Sequence, residues 1–517
     1  MTIIESRMPA VPVTDQSITE RLFAGLEGDP ERVVLTDGVT GYSLTASRLR
    51  DRICRLAGGL IGMGLGKGGT TALMAPNMPD YVTVFHGVAW AGGTITTINP
   101  TYTAEELRHQ LSDSGATLLV TIAQFLDTAR AGAEGTSVSE IVVIDEADGV
   151  RSLDDLMGDP LAEQAPVDIE RDIVALPYSS GTTGLSKGVM LTHRNLVVNV
   201  DQGLPMTNIA PGDTTIAFLP LFHIYGLTVL MNMYLAHGAA LVTMPRFDLE
   251  RFLQLIQEHR TRTLWCVPPV GIALAKSPIV DDYDLSSVEL FYSAAAPLGP
   301  ELSDAVARRL NVNAIQAYGM TEMSPISHAT LPDAPKAGSC GLTVPNTACR
   351  IVNPETGEDC PIGTEGELWV KGPQVMVGYL NNPEATAATV TEDGWLKTGD
   401  LASFDSDGYL FIHDRLKELI KVKGFQVAPA ELEAVILTHP DVADVAVVGQ
   451  PDDEAGERPV AHVVCNPNAT PTKDAIKAHV LDHVSHYKEL AEVHFTDAIP
   501  KSASGKILRR LLRSNSA

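Results

Sequence analysis

The stretch YSSGTTGLSKGVMLTH, residues 178–193, follows the apolar run DIVALPY (172–178), which is typical of a buried strand. A segment so rich in Gly, Ser and Thr is either a flexible turn or a phosphate-binding loop, in which backbone N–H groups, hydroxyls and a lysine converge on an anion. A Walker A loop needs adjacent Gly and Lys, whereas Gly184 and Lys187 are three positions apart. The stretch is therefore not a loop of that type, and the rest of the chain must decide between the two interpretations.

Around this stretch, short β-rich runs alternate with helical patterns. TTALMAPN (70–77) is followed by the helical pattern YVTVFHGVAWAGG (81–93) and then by TITTINP (94–100). Strand, helix and strand at this spacing predict βαβ units and parallel sheets with helices on both faces. The predicted fold class is therefore α/β, with a large N-terminal domain of layered α/β sheets.

The pattern changes after about Lys371. The segments GTEGELWVKGP (363–373) and DGYLFIHDR (407–415) predict antiparallel strands and a small β-barrel-like region. From Phe425 onward, two helices and two strands predict a compact α+β unit, and Pro429 is placed at the start of its first helix. We place the boundary so that residues 1–414 form the N-terminal domain and residues 415–517 the C-terminal domain.

Composition excludes several classes of protein. The chain has 517 residues and a net charge of −26, which argues against nucleic-acid binding, and it means that any anionic ligand must be met by a local group of Lys and Arg. The six cysteines form no CxxC pair or zinc pattern, which favours reduced thiols and a cytoplasmic location. The N-terminus lacks a secretory pattern, and the longest apolar region, 224–244, contains Asn232 and His237, so we predict no transmembrane segment.

Seven segments, in order, resemble the motifs of the adenylate-forming superfamily, which includes acyl-CoA synthetases, luciferases and the adenylation domains of peptide synthetases. They are SSGTTGLSKG (179–188), LPLFHIYGL (219–227), YSAAAPLG (292–299), QAYGMTE (316–322), GWLKTGD (394–400), DRLKELIKVKGFQVAPAELE (414–433) and PKSASGKILRR (500–510). The resemblance runs from about residue 20 to residue 512. It is nearest to the 4-coumarate–CoA ligases and related acyl-CoA ligases, because the second and sixth segments fit that subgroup almost letter for letter.

The resemblance implies an ATP-binding site. Glu322 would bind Mg²⁺, Thr321 the α-phosphate, and Asp400 both ribose hydroxyls, which suits a carboxylate as a bidentate acceptor. Arg415 would add a ribose or phosphate contact, and Tyr318 would lie against the adenine ring. The residues expected to contact the ATP phosphates, mainly β and γ, are Ser179, Ser180, Gly181, Thr182, Thr183 and Lys187.

The resemblance also implies that a mobile C-terminal domain serves two half-reactions. Lys506 would bridge the carboxylate and the α-phosphate during adenylation only. The domain would then rotate about Lys417, and Lys421 would enter the site for the thioester step. Charged or flexible residues expected to contact coenzyme A are Arg246, Lys423 and Gly424. Without the resemblance, the basic residues Lys417, Lys421 and Lys423 would be interpreted as a solvated strand face.

The acid pocket is expected from the same resemblance. His223 and Tyr225 match residues that line the substrate channel, and the other wall positions are Ala295, Gln316, Ala317 and Ala329. Many relatives have Gly where this chain has Ala294 and Ala317, so we expect a narrower pocket at that wall. His328 is more polar than the residue expected in a coumarate pocket.

These expectations predict an ATP-dependent carboxylate–CoA ligase, an AMP-forming acid–thiol ligase that uses ATP, Mg²⁺ and CoA. Its acid would be a phenylpropanoid or other aromatic acid, or a medium-to-long-chain aliphatic acid. Two alternatives remain open: loading of a separate phosphopantetheine carrier protein, and luciferase-like oxidation of the adenylate. A non-catalytic binding protein is disfavoured because Glu322, Asp400 and Lys506 are all present.

Overall fold

The fold was examined in a computed structural model, which describes residues 3–179, 186–423, 425–452, 455–502 and 505–513. Its strands, numbered along the chain, are β1 (Ile4–Glu5), β2 (Val33–Asp37), β3 (Ser43–Thr45), β4 (Thr70–Leu73), β5 (Thr94–Thr97), β6 (Leu118–Thr121), β7 (Glu140–Val143), β8 (Ile173–Ala175), β9 (Tyr178–Ser179), β10 (Lys187–Thr192), β11 (Thr214–Ala217), β12 (Ala240–Thr243), β13 (Thr263–Cys266), β14 (Leu290–Ser293), β15 (Asn313–Gly319), β16 (Ile326–Ala329), β17 (Leu342–Thr343), β18 (Ala348–Val352), β19 (Gly366–Lys371), β20 (Gly378–Tyr379), β21 (Leu396–Phe404), β22 (Leu410–Arg415), β23 (Ile420–Val422), β24 (Phe425–Val427), β25 (Val442–Asp452), β26 (Gly456–Cys465) and β27 (Glu492–Phe495).

The α-helices are α1 (Ile18–Gly25), α2 (Ala46–Gly62), α3 (Pro79–Trp90), α4 (Ala104–Ser114), α5 (Leu126–Ala133), α6 (His193–Gly203), α7 (Tyr234–Ala236), α8 (Leu249–His259), α9 (Pro268–Lys276), α10 (Pro300–Leu310), α11 (Pro383–Thr389), α12 (Pro429–Leu437), α13 (Lys473–Leu481) and α14 (Arg509–Arg513). A π-helix covers Tyr225–Met233, and short 3₁₀ helices cover Ala123–Phe125, Asp154–Leu156, Leu204–Met206, Pro278–Asp282, Thr321–Met323 and His486–Lys488.

Three sheets of the N-terminal region contain the predicted parallel strands. The eight-stranded sheet has the order β20-β10-β8-β5-β4-β6-β7, with β9 paired to β10, and its strands from β8 to β7 are parallel. Parallel pairing also joins β11, β12 and β2 in the sheet β11-β12-β2-β3, and β13, β14 and β15 in the sheet β13-β14-β15-β16-β17. The alternation of strands and helices in the sequence thus predicted the parallel βαβ arrangement correctly.

A fourth sheet, β1-β18-β19-β21-β22, is antiparallel throughout, as the two segments near residues 366 and 410 predict. The sequence pattern did not indicate its first strand, because Ile4–Glu5 is too short to show alternation. Asp400 in the middle of β21 and Arg415 at the end of β22 bring this sheet next to the candidate site.

Helix α3 lies at the centre of the N-terminal region. All twelve of its residues are buried, so it is enclosed around its whole circumference and packs between layers rather than against one sheet. Pro79 occupies the first turn, where a missing N–H costs nothing. One continuous hydrophobic cluster extends from Ile18 to Leu410 across these layers.

The chain beyond Leu419 forms its own sheet, β24-β23-β26-β25 with β27 paired to β26, and its own hydrophobic clusters. Helices α12 and α13 cover one face through Leu432, Ile436, Ile476 and Val480. The opposite face is covered by Ile499 and Leu512, which flank the segment that carries Lys506. The C-terminal tail is therefore packed against this α+β unit.

Two further observations concern compartment and membrane. All six cysteines are unpaired, and five of them are buried. Within the described ranges, no helix is both long and apolar enough to cross a membrane. The apolar region 224–244 forms the buried π-helix, α7 and β12 instead.

The close approach of α2 to the segment around Leu156 yields a stability prediction. A methyl group at Gly59 would lie 1.7 Å from the Leu156 carbonyl oxygen, so Gly59→Ala must displace backbone. We expect a loss of about 1–3 kcal/mol in the free energy of unfolding. Gly62→Ala at the end of the same helix is the matched control, because nothing lies within 4 Å of its added methyl group.

Thermal unfolding of the two variants and the parent chain measures the difference. Gly62→Ala should unfold at the parent's temperature or slightly above it, since Ala is favoured over Gly in helices by up to about 1 kcal/mol. Equal midpoints for the two variants would contradict the close packing of α2.

Candidate functional site

Two antiparallel strands, β9 and β10, flank the phosphate-loop stretch, and these two strands are called the phosphate hairpin below. Ser179 at the end of β9 pairs with Lys187 at the start of β10. Four predicted phosphate contacts, Ser180, Gly181, Thr182 and Thr183, lie outside the described residues. The predictions for them, and for Gly424, keep their status as expectations.

Helix α4 contacts both sides of this hairpin. The Tyr178 hydroxyl donates to Asp113 Oδ2 at 2.7 Å, and His109 Nε2 lies 3.2 Å from the Ser186 carbonyl oxygen. A methyl group at Gly188 would lie 3.1 Å from the Tyr178 ring. Any larger residue at 188 would therefore require the Tyr178 ring to shift.

Glu322 and Lys187 meet through a residue that the sequence did not indicate. The Tyr379 hydroxyl donates to Glu322 Oε1 at 2.8 Å, and Lys187 Nζ lies 4.5 Å from the centroid of the Tyr379 ring. Glu322 is buried, with 3% of its surface exposed. Tyr379 is 57 residues from Glu322 in the chain, and nothing in the local pattern around it indicates this contact.

Asp400 lies at a second charged centre, beside Arg415 and Tyr318. Asp400 and Arg415 are directly opposite one another on β21 and β22, with Arg415 Nε 3.5 Å from Asp400 Oδ1. The Tyr318 hydroxyl donates to Asp400 Oδ2 at 2.5 Å. Burial raises the pKa of Asp400, and the Arg415 charge and the Tyr318 hydrogen bond oppose that rise.

The contact with Asp400 assigns Tyr318 a position at the carboxylate that is expected to hold the ribose. Its predicted contact with the adenine ring stays a prediction. Burial and the neighbouring carboxylate raise the pKa of Tyr318, so the phenol remains protonated and acts as a donor to Asp400.

Lys506 reaches this centre from the C-terminal tail. A β-bridge between Lys501 and Ile507 and a hydrogen bond of 2.8 Å from Ser502 N to the Lys506 carbonyl oxygen form a tight hairpin. A methyl group at Gly505 would lie 3.5 Å from Val267, so the tip abuts the N-terminal region. The structure thus places Lys506 near Asp400, Arg415 and Glu322, and its role in adenylation stays a prediction.

The charge of Lys506 is set by its surroundings. Burial, followed by the positive charge of Arg415, lowers its pKa to about 8, and Asp400, Glu418 and Glu322 oppose that change. Lys506 in turn acts on His223, whose pKa falls to about 4 chiefly through burial. Near neutral pH, His223 is thus neutral and Lys506 is mostly protonated.

Arg509 anchors the tail three residues beyond Lys506. Its guanidinium donates to Glu433 at 2.7 Å and to the Val447 carbonyl oxygen at 3.1 Å, and it also pairs with Glu418. This ion cluster is largely buried, which is tolerable only because the opposite charges and hydrogen bonds are in place together. It fixes the tail that carries Lys506 to α12 and to the turn after β22.

The predicted channel residues lie on three elements. Tyr225 begins the π-helix, and its hydroxyl is 3.5 Å from the Cys266 carbonyl oxygen. Ala295 is exposed and has φ of 72°, a left-handed conformation that non-glycine residues seldom adopt and that occurs at functional sites. Gln316 uses its side-chain oxygen to accept from Leu298 N at 3.0 Å, so it fixes the loop that carries Ala295.

The register of β15 and β16 separates Ala317 from His328. Ala317 pairs with Ala329, whereas His328 pairs with Tyr318 on the opposite face. His328 is fully buried, lies 3.0 Å from Ser327 Oγ and 3.2 Å from Thr343 Oγ1, and burial lowers its pKa to about 3. It is a buried, hydrogen-bonded residue on the strand face opposite Ala317.

The basic residues expected at coenzyme A remain at the surface. Arg246, Lys417, Lys421 and Lys423 are all exposed. Lys421 N donates to Glu457 Oε2 at 2.8 Å, and Lys423 has φ of 48°. Lys417 lies in the turn between β22 and β23, where the predicted hinge would act.

The donor set near Glu322 suits Mg²⁺ held partly by substrate. Within the described part of the chain, no group of three or more His, Cys, Asp or Glu side chains could hold a metal ion. Mg²⁺ is commonly bound through one or two carboxylates together with substrate phosphates and water. The buried Glu322 carboxylate, close to the phosphate hairpin through Tyr379, fits that arrangement.

Comparison with protein families and curated proteins covers almost the whole chain. The family model described as AMP-binding enzyme matches residues 22–380, and that described as AMP-binding enzyme C-terminal domain matches residues 431–506. The chain is 43% identical over 527 residues to 4-coumarate–CoA ligase 1 of Petroselinum crispum, covering 100% of this chain and 97% of the relative.

Two solved structures are also similar. The anthranilate CoA ligase AuaEII in complex with anthranoyl-AMP superposes with a TM-score of 0.90 at 26% identity, covering 98% of both chains. ATP-bound MatB from Rhodopseudomonas palustris superposes with a TM-score of 0.88 at 30% identity, covering 97% of this chain and 99% of that chain. Apo MatB gives a lower TM-score, 0.78, at the same identity and coverage.

The environment of Lys506 yields a titration prediction. Reductive methylation with ¹³C-formaldehyde and NMR should show the Lys506 amine losing its proton near pH 8, well below the ordinary lysine value. Lys506→Arg identifies the signal by removing it. Arg415→Gln should move the midpoint upward, because the neighbouring positive charge that lowers the pKa is gone.

Arg260→Gln is the matched control, since Arg260 is an exposed arginine at the end of α8. It should leave the Lys506 midpoint in place. A parent midpoint above pH 10 would contradict the burial of Lys506 beside Arg415.

Proposed function

The chain belongs to the AMP-binding enzyme family, and we propose how its residues divide the work of an ATP-dependent carboxylate–CoA ligase. The enzyme forms an acyl-AMP with release of pyrophosphate and then transfers the acyl group to coenzyme A. The observation that carries the assignment of residues is the convergence of Lys506 from the C-terminal tail with Asp400, Arg415 and Glu322. The enzyme uses ATP, Mg²⁺ and CoA.

In the first half-reaction, a carboxylate oxygen attacks the α-phosphorus and pyrophosphate leaves. Negative charge develops on the phosphate oxygens, so prepositioned cations and N–H donors lower the barrier. We assign Lys506 to the carboxylate and α-phosphate, Thr321 to the α-phosphate and Asp400 with Arg415 to the ribose. The β- and γ-phosphates are assigned to the hairpin residues Ser179, Ser180, Gly181, Thr182, Thr183 and Lys187.

Bound Mg²⁺ supplies charge neutralisation at the departing phosphates. Glu322 would hold it through the carboxylate oxygen that is left free by the hydrogen bond from Tyr379. The carboxylate is buried, and that strengthens its attraction for a cation relative to an exposed group.

The second half-reaction needs a different residue set. We propose that residues 1–414 and 415–517 act as two domains that rotate about Lys417, in the turn after β22. Rotation would withdraw Lys506 and bring in Lys421, with Lys423, Gly424 and Arg246 contacting coenzyme A. The exposure of Lys421 and Lys423 while Lys506 is in the site supports two alternative placements, and so does the higher TM-score to ATP-bound than to apo MatB.

The acid is proposed to be aromatic, of the cinnamate class. The relative from Petroselinum crispum is named for 4-coumarate, and AuaEII for anthranilate. A short planar acid also suits a channel whose proposed wall includes the small side chains of Ala295 and Ala317. Tyr225, at the start of the π-helix, is the proposed aromatic residue of this wall. The methyl group of Ala317 should disfavour bulky ring substituents.

Two alternatives are weaker. Loading of a carrier protein has no support from 4-coumarate–CoA ligase 1 or AuaEII, both of which are named as CoA ligases. Luciferase-like oxidation has no feature of its own in the site. A cytoplasmic location is proposed from the six unpaired cysteines.

A panel of acids tests the substrate class. Pyrophosphate release measured with cinnamates, benzoates and C6–C16 fatty acids should give the highest kcat/KM for a hydroxycinnamate. Ala317→Gly should raise kcat/KM for ring-dimethoxylated cinnamates relative to 4-coumarate by about 10-fold, the scale for one methyl group in a pocket. Ala314→Gly removes a methyl group from the same strand as a control and should leave that ratio unchanged.

Fatty acids outperforming every cinnamate would refute the proposed substrate class. Carrier-protein loading is tested by comparing thioester formation with CoA and with a holo carrier protein. AMP release is the readout in both reactions.

Lys506→Ala tests the division between half-reactions. Adenylation should slow by at least about 10²-fold, the scale for losing one charge-stabilising group. Thioester formation from supplied acyl-adenylate should be largely retained, because Lys506 is assigned to the first step only. Single-turnover kinetics measure each step, and Lys473→Ala, at an exposed lysine of α13, is the control. Equal losses in both steps would count against the assignment.

A further inference from the structure

Tyr379 contacts two groups of the site with two different parts of its side chain. Its hydroxyl donates to Glu322 Oε1 at 2.8 Å, and the face of its ring lies 4.5 Å from Lys187 Nζ. Only 7% of the residue is exposed. One side chain thus connects the carboxylate assigned to Mg²⁺ with the lysine assigned to the β- and γ-phosphates.

The backbone of Tyr379 is fixed by the strand that leaves the phosphate hairpin. In β20, Tyr379 pairs with Val189 of β10, and Leu380 N donates to the Gly188 carbonyl oxygen at 2.8 Å. Tyr379 N donates to Thr386 Oγ1 of α11 at 2.9 Å. The ring therefore moves with the hairpin and not with a separate loop.

A second anchor lies just before β20. The Asn195 side chain, in the first turn of α6, donates to the Pro373 and Val375 carbonyl oxygens at 2.8 and 3.0 Å. Met376 N donates to the Glu322 carbonyl oxygen at 2.9 Å. The segment that carries Tyr379 is thus tied both to the helix after the phosphate hairpin and to the backbone of Glu322.

Each contact has a distinct physical effect. The Tyr379 hydroxyl donates a hydrogen bond to Glu322 Oε1 and thereby orients the carboxylate. Groups that hydrogen-bond to a metal-binding carboxylate typically alter metal affinity by about 10- to 100-fold. The ring face attracts the Lys187 ammonium group through a cation–π contact, which restricts where Lys187 can point.

We propose that Tyr379 is a positioning residue that aligns Glu322 for the metal ion through its hydroxyl and Lys187 for the ATP phosphates through its ring. This inference rests on the proposed function. It predicts that the two roles separate on substitution, because Tyr379→Phe removes only the hydroxyl, whereas Tyr379→Leu removes the hydroxyl and the aromatic face.

The test measures two bindings and one rate. Calorimetry in the presence of a chelator gives the Kd for metal-free ATP. Electron paramagnetic resonance of Mn²⁺, with a non-hydrolysable ATP analogue present, gives the metal Kd. The Mg²⁺ dependence of pyrophosphate release gives the same comparison under turnover.

For Tyr379→Phe, we expect the metal Kd and the Mg²⁺ concentration for half-maximal rate to rise about 10-fold. The Kd for metal-free ATP should stay within about twofold of the parent value, since the ring face remains. Tyr379→Leu should show the same metal effect and should also raise the Kd for metal-free ATP by at least about threefold.

Tyr409→Phe is the matched control. Tyr409 has the same pair of contacts away from the site, with Lys336 Nζ 4.7 Å from its ring centroid and its hydroxyl donating to the Ala334 carbonyl oxygen at 3.2 Å. Its loss should change neither Kd, although it removes a comparable hydrogen bond. Thermal unfolding of all variants reports the purely structural cost.

The outcomes separate the possible failures. An unchanged metal Kd in Tyr379→Phe would overturn the inference even if Tyr379→Leu does not fold. Equal losses of metal-free ATP affinity in the Phe and Leu variants would overturn the role of the ring. A parent chain that binds no ATP would instead overturn the proposed function itself.

Discussion

The pairing of a buried carboxylate, Asp400, with Arg415 on the neighbouring strand is the constraint on which the rest of the site depends. A desolvated carboxylate is costly unless charges and donors surround it, and here Arg415, Tyr318 and Lys506 do so. Arg415 is also the last residue of β22, directly before the turn that leads to the C-terminal region. The same ion pair thus lies at the position proposed for the ribose and at the junction of the two regions.

This constraint explains why the positive charge of Lys506 is only weakly stabilised. Arg415 opposes its charge while Asp400, Glu418 and Glu322 favour it, and burial lowers its pKa to about 8. A lysine in that balance gains interaction energy when an anionic phosphate arrives. The tail that carries it is anchored separately, by Arg509 to Glu418 and Glu433, so the hairpin tip can present the lysine without contributing to the fold's core.

At the other end of the site, strand pairing positions the side chains. The phosphate hairpin is paired through β10 to β8 on one side and to β20 on the other, while α4 supports its base through Asp113. Lys187 and Tyr379 consequently belong to one sheet, and Glu322 approaches them from β15 and its following 3₁₀ turn. The catalytic groups therefore come from strand ends and turns supported by rigid layers, as is common for α/β enzymes.

The sequence by itself determined the layered α/β order, the antiparallel sheet from Gly366 to Arg415 and the compact C-terminal unit, and it named the segments expected to carry the chemistry, because hydrophobic period and motif order are local properties of the chain. It could not determine that His328 faces away from Ala317, since one step of strand register decides which face a residue occupies. Nor could it show that Tyr379 joins Glu322 to Lys187 or that Arg415 and burial set the charge of Lys506. Those features were decided only by the tertiary structure, because they depend on side chains that are distant in sequence and on water excluded when the layers close.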